Sequence, residues 1–127
     1  MKANSDRFLV QVYDKVRLCA GGEEEMEIRY KNSSGVLFVY LSGELDEYAA
    51  NMTRGTFDKL LDDNLNVKKA VFDVSGLTFM DSTGIGMLIG RYKKLKNFRI
   101  PVYIAGAGNG VEKVIELSGL YNIMPKY

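Results

Sequence analysis

From Met26 onward, short runs rich in branched and aromatic residues alternate with longer segments whose apolar residues fall at helical spacing. "MEIRY", "VLFVYLSG", "AVFDV" (70–74) and "PVYIAG" (101–106) read as strands, the last two as buried ones. "DEYAANMTRGTFDKLLDD" brings Tyr48, Met52, Phe57, Leu60 and Leu61 near helical spacing, with Gly55 weakening its middle. Ser82 to Asn97 places Ile85, Leu88, Ile89, Tyr92 and Leu95 on one stripe, with Arg91, Lys93, Lys94 and the glycine edges opposite. "NGVEKVIELSGL" opens on Asn109 as its N-cap, carries Glu112 in an approximate capping box, and stops at Gly119. The order ββαβαβα describes an α/β layer in which a mixed sheet of four to five strands shares one core with helices.

Finer expectations follow. "KNSSG" is expected to join the first two strands by a longer loop, and the tail "YNIM" to add a last edge strand. Residues 1–25 form an N-terminal extension of unknown role, outside a domain at 26–127. Within it "FLVQVYDKVRL" reads as an extra strand or a short helix, and "GGEEE" as a turn with a solvated acidic stretch.

A chain of 127 residues fits one domain. It has a single cysteine, Cys19, so no intrachain disulfide forms, which favours a reducing compartment; the cytoplasm is the expected location. The first residues lack the apolar stretch of a signal peptide, and nowhere is there an apolar run long enough to span a bilayer. With 17 basic and 16 acidic residues, the net charge of +1 argues against a nucleic-acid footprint. The run "RYKKLKNFR", Arg91 to Arg99, is either a solvated helix face or a docking patch for an acidic partner.

Most catalytic chemistries fail on residue type or spacing. There is no histidine, which removes the Ser-His-Asp arrangement, and Met80 stands where G-x-S-x-G needs its first glycine. No S-x-x-K begins at Ser82. The glycines around "GIGMLIG" match neither a phosphate-binding loop nor a dinucleotide fingerprint, and the same holds after Gly106. Without histidine and with one cysteine, neither a metal site nor a cofactor is expected. What stands out is "FMDSTGIGMLIGRY": a helix that opens on Asp81, Ser82 and Thr83 and then carries Gly84, Gly86 and Gly90. Each glycine costs a helix interior about 1 kcal/mol against alanine, so something must approach this backbone closely or touch Ser82. Ser82 reads as the N-cap, its hydroxyl at the surface end of the element.

These residues carry a resemblance. "GLTFMDSTGIGMLIGRYKKLK" resembles the signature of the STAS domain anti-sigma factor antagonists, most of all their sporulation branch in the sigma-F system. "LSGELDEYAA" is similar to that family's segment after the second strand, and "IELSGLYNIM" to its last helix and strand; the likeness runs from about Met26 to Tyr127. It implies a STAS-type single domain that catalyses nothing. Ser82 would be phosphorylated by an anti-sigma factor that is itself a serine kinase. The unmodified form would bind that kinase and release the sigma factor, and a metal-dependent serine phosphatase would restore it. The resemblance further implies a docking face made by a loop of Gly43, Glu44, Leu45 and Asp46 with the start of the second helix: Asp81, Ser82, Thr83, Gly84, Ile85 and Gly86. The small Gly84 and Gly86 would admit a partner backbone, and Arg91 is expected either to reach an acidic group on the partner or to lie solvated. A monomer is expected. Two alternatives stand beside this reading: a STAS scaffold module of a transport complex without a phosphorylation cycle, and an α/β nucleotide-binding or hydrolytic enzyme.

Overall fold

The structure, a computed structural model, describes residues 10–17 and 25–127, with side chains from Met26 onward. One sheet holds β1 (Val10–Arg17), β2 (Glu25–Ser33), β3 (Val36–Leu45), β4 (Lys69–Met80) and β5 (Val102–Ala105), in that spatial order. β1 and β2, and β2 and β3, pair antiparallel, while β3 with β4 and β4 with β5 pair parallel. Parallel neighbours need a crossover. α1 (Glu47–Asp62) and α2 (Ser82–Lys96) supply them, and α3 (Asn109–Ser118) follows β5. The mixed α/β architecture is the one expected, and part of the N-terminal extension adds its edge strand; "GGEEE" lies largely outside the described residues.

Strand alternation separates two faces. Leu37, Val39 and Leu41 of β3, Ala70, Phe72 and Val74 of β4, and Val102 and Ile104 of β5 are buried, and they share one core with the buried residues of all three helices. Phe57 of α1 meets Phe72 edge-on, ring centroids 5.2 Å apart. Among the described residues no helix packs on the opposite face of the sheet, where the tail's Tyr127 meets Phe38 and Tyr103.

Four local expectations need correction. β2 and β3 run to a two-residue turn, not a longer loop, because Ser34 and Gly35 both take positive φ (54° and 84°), the geometry whose twist matches paired strands. α1 buries Ala49, Ala50, Thr53, Phe57, Leu60 and Leu61, whereas Tyr48 and Met52 are 44% and 50% exposed. Those two lie about 100° off the buried stripe, one residue out of phase. α3 starts at Asn109 with Gly108 as its cap and no side-chain cap bond. Glu112 turns instead to Tyr121 and Lys126, whose Oη and Nζ lie 2.6 and 2.8 Å from its carboxylate. The tail is not a strand at "YNIM": Leu120–Asn122 is a 3₁₀ turn, and pairing comes later, where Lys126 bridges Ile104. Leu120 and Met124 are both buried while Asn122 between them is exposed, a pattern that suits a turn and breaks the i, i+2, i+4 alternation of a strand.

Candidate functional site

Leu45 and Met80 are the last registered pair of β3 and β4, so Asp46 and Asp81 leave the sheet side by side. Both have extended backbones, and each caps the helix that follows. Asp46 Oδ1 accepts from Ala49 N at 2.9 Å; Asp81 Oδ1 accepts from Thr83 N at 3.0 Å and Gly84 N at 3.1 Å. The two carboxylates line one open depression with Glu47, Tyr48 and Asn51.

Ser82 is therefore not the N-cap. β4 holds extended geometry through Met80, the chain breaks at Asp81, and one carboxylate oxygen takes both free N–H groups within reach. Ser82 becomes the first residue of α2, exposed, with its hydroxyl in no hydrogen bond among the described residues. Thr83 beside it is half-buried.

The expected docking residues divide. Gly43, Glu44 and Leu45 belong to β3 and form no loop, because pairing with β4 continues through them past two register irregularities. Gly43 and Glu44 are half-exposed, but Leu45 is fully buried. Gly84 and Ile85 also face inward. A Cβ on Gly84 would stand 2.7 Å from Met80 Cγ, 2.8 Å from the Leu45 carbonyl oxygen and 3.0 Å from Leu45 Cγ. The backbone that approaches this glycine is the chain's own β3. Gly86, by contrast, is exposed and has open space where a Cβ would lie. The surface around Ser82 thus comprises Asp46, Asp81, Thr83 and Gly86.

Arg91 also turns inward. Its Nε lies 2.9 Å from Asp58 Oδ1 on α1, its side chain is only 12% exposed, and Lys94 reaches Asp62 of the same helix at 2.8 Å. The Arg91 contact is an ion pair without hydrogen-bond alignment, and its Nη1 is buried and unpaired among the described residues. Burial pulls the Arg91 pKa down, opposed by Asp58. Two cations of the run "RYKKLKNFR" are therefore engaged at the α1/α2 seam, neither freely solvated nor presented to a partner.

Sequence reasoning missed Tyr48, which lines the depression, and Met52 as surface residues. Their signal was being out of step with Ala49, Thr53 and Phe57, which a search for apolar spacing alone merges into one stripe. Among the described residues no group of three or more His, Cys, Asp or Glu converges as metal ligands would, and no helix is long and apolar enough to cross a membrane.

Parallel crossovers that each start from an aspartate cap, with a free serine at the head of the second, sit on a sheet of known type. The sequence profile of the STAS domain matches residues 27–127, and the chain belongs to that family. By homology it groups with the anti-sigma factor antagonists. It is 33% identical over 102 residues to the anti-sigma F factor antagonist of Paenibacillus polymyxa, covering 80% of this chain and 86% of that one. Among solved structures it is similar to an anti-sigma factor antagonist from Mycobacterium paratuberculosis, with TM-score 0.70 and 25% identity over 80% of this chain and 85% of the other. It is likewise similar to the antagonist SpoIIAA in its unphosphorylated form, with TM-score 0.65 and 25% identity over 79% and 87%.

Proposed function

We propose that this protein is an anti-sigma factor antagonist switched by phosphorylation of Ser82. The unmodified form binds an anti-sigma factor serine kinase through Asp46, Asp81, Ser82, Thr83 and Gly86, with Gly43 and Glu44 at the margin, and the sigma factor is released. The observation that carries this reading is the division of labour at the head of α2: Asp81 does the capping, so Ser82 Oγ is exposed and without a structural duty. A kinase can take that hydroxyl without dismantling the helix. Its oxygen forms a bond to the γ-phosphorus of ATP, the bond to ADP breaks, and the proton passes to the kinase's base.

Phosphorylation adds about −1.5 to −2 charge. The N-terminus of α2 tolerates that charge, so the fold survives. Binding does not. The phosphate stands next to Asp81 and beside Asp46 on a surface shaped for a neutral hydroxyl, and a loss of about 2.8 kcal/mol is already a hundredfold in affinity. A metal-dependent serine phosphatase reverses the step, and the protein acts in the cytoplasm as a monomer, with residues 26–127 as the binding domain and 1–25 as an extension. The test is intact-mass analysis with site mapping after incubation with the candidate kinase and Mg-ATP. A single phosphate on Ser82 is the expected result; no modification by a kinase active on a control antagonist would shift the assignment to a scaffold without a phosphorylation cycle.

A further inference from the structure

The face of the sheet that the helices leave bare carries a row of aromatic rings. Tyr40 and Phe38 of β3 stack with centroids 6.3 Å apart, Tyr127 meets Phe38 at 5.9 Å, and Tyr103 of β5 meets Tyr127 at 5.8 Å. The rings are half-exposed, Tyr127 more so at 57%. Cations flank the row on both sides. Arg29 lies over Tyr40 at 5.7 Å, Lys31 over Phe38 at 5.2 Å, and Lys69 over both Tyr103 and Tyr127 at 5.7 and 5.3 Å.

The near-neutral net charge conceals this distribution. Beside the row, Glu27 pairs with Arg29 at 3.7 Å and Asp73 accepts from the Ser75 amide and hydroxyl, while Glu44, on the same side of β3, lies four residues beyond Tyr40 toward the Asp46 end of the strand. Lys31 and Lys69 have no carboxylate within ion-pair distance among the described residues. A ligand that matches the face must be anionic at intervals and must offer flat rings of its own. Acidic protein surfaces meet the first condition only; single-stranded nucleic acid meets both, its bases stacking on side-chain rings while its phosphates pair with the flanking cations.

We propose that this open face binds single-stranded nucleic acid, with Phe38, Tyr40, Tyr103 and Tyr127 as the stacking row and Lys31, Lys69 and Arg29 as phosphate contacts. The site lies across the sheet from the core and does not depend on the Ser82 switch. Two to three neutralised phosphates give a log–log salt slope of about −1.4 to −2.1. Raising salt from about 50 to 200 mM therefore weakens binding by about seven- to twentyfold.

The test is fluorescence anisotropy of the full chain with fluorescein-labelled oligouridylate and oligothymidylate. Binding with that salt dependence is expected, weakened about tenfold or more by Lys31→Glu with Lys69→Glu, and about fivefold or more by Tyr40→Leu or Tyr103→Leu. Lys93→Glu with Lys113→Glu, exposed positions on α2 and α3, is expected to change little. Far-UV circular dichroism and the midpoint of urea unfolding establish that each variant is folded. No binding at low salt would overturn the proposal. So would equal weakening by the helix variants, which means unspecific attraction. Ring variants without effect, or equal displacement by polyglutamate, would also overturn it and assign the face to an acidic protein.

Discussion

Replacing Gly84 by alanine tests whether this glycine serves internal packing. In a helix interior alanine gains about 1 kcal/mol over glycine. Here the added methyl would meet Met80 Cγ at 2.7 Å, the Leu45 carbonyl oxygen at 2.8 Å and Leu45 Cγ at 3.0 Å. The Met80 side chain has some freedom to shift. The Leu45 carbonyl belongs to β3 and receives the Asp81 amide at 3.5 Å, so relief requires moving α2 away from the strand. Overpacking of this kind costs about 1–3 kcal/mol, and a backbone obstacle places Gly84→Ala at the upper end. The net expectation is a loss of about 1–2 kcal/mol, or about 4–10 °C in Tm. Gly90→Ala is the matched control: nothing lies within 4 Å of its Cβ position, so helix propensity acts alone and stability rises by about 0.5–1 kcal/mol. Urea unfolding followed by far-UV circular dichroism measures all three proteins. A Gly84→Ala protein as stable as the parent, with Gly90→Ala stabilised, would refute the packing argument. Gly86→Ala adds a functional readout. It too has open space, so the fold gains stability, while affinity for the kinase falls if a partner uses that gap.

Ser82→Asp is expected to lower affinity for the kinase by about tenfold to a hundredfold and Ser82→Ala to retain binding without modification, both read by titration calorimetry; full affinity in the aspartate variant counts against the switch. Asp81→Ala removes two cap bonds and Asp46→Ala one; each costs about 0.5–2 kcal/mol, with Asp81 the larger, and equal losses by urea unfolding would contradict the capping roles. The hydrogen bonds and ion pair from Lys126 and Tyr121 hold the Glu112 carboxyl below its ordinary value of 4.5. A depressed folded pKa gives stability that is present above the unfolded value and lost as pH falls through the folded one, so thermal midpoints should drop below about pH 4.5 more in the parent than in Glu112→Gln. Parallel pH profiles for the two would remove Glu112 from the account.

Alternation of strand and helix patterns, the absence of histidine and the glycine-rich helix start were all legible in the linear chain, because each rests on local periodicity or residue type. The helix starts were legible only to within a residue. Asp81 and Ser82 are both good caps, and the choice fell to Asp81 because β4 remains paired to β3 up to Met80. The two-residue turn at Ser34 and Gly35 was hidden for a similar reason: pairing carries Asn32 and Ser33 into β2, which turn composition alone assigns to a loop.

By itself the sequence determined the α/β class, the order of elements and, to within a residue, the place where a helix starts beside an exposed serine, since a strand followed by Asp-Ser-Thr-Gly and an apolar stripe has few local solutions. Tertiary structure alone decided which side chains are available. It buried Leu45, Gly84 and Ile85, turned Arg91 toward Asp58, and gathered rings from β3, β5 and the tail onto one bare face. The physical reason is that exposure and ion pairing are fixed by contacts between residues distant in the chain, and those follow from sheet register and the placement of crossovers, which no local pattern encodes.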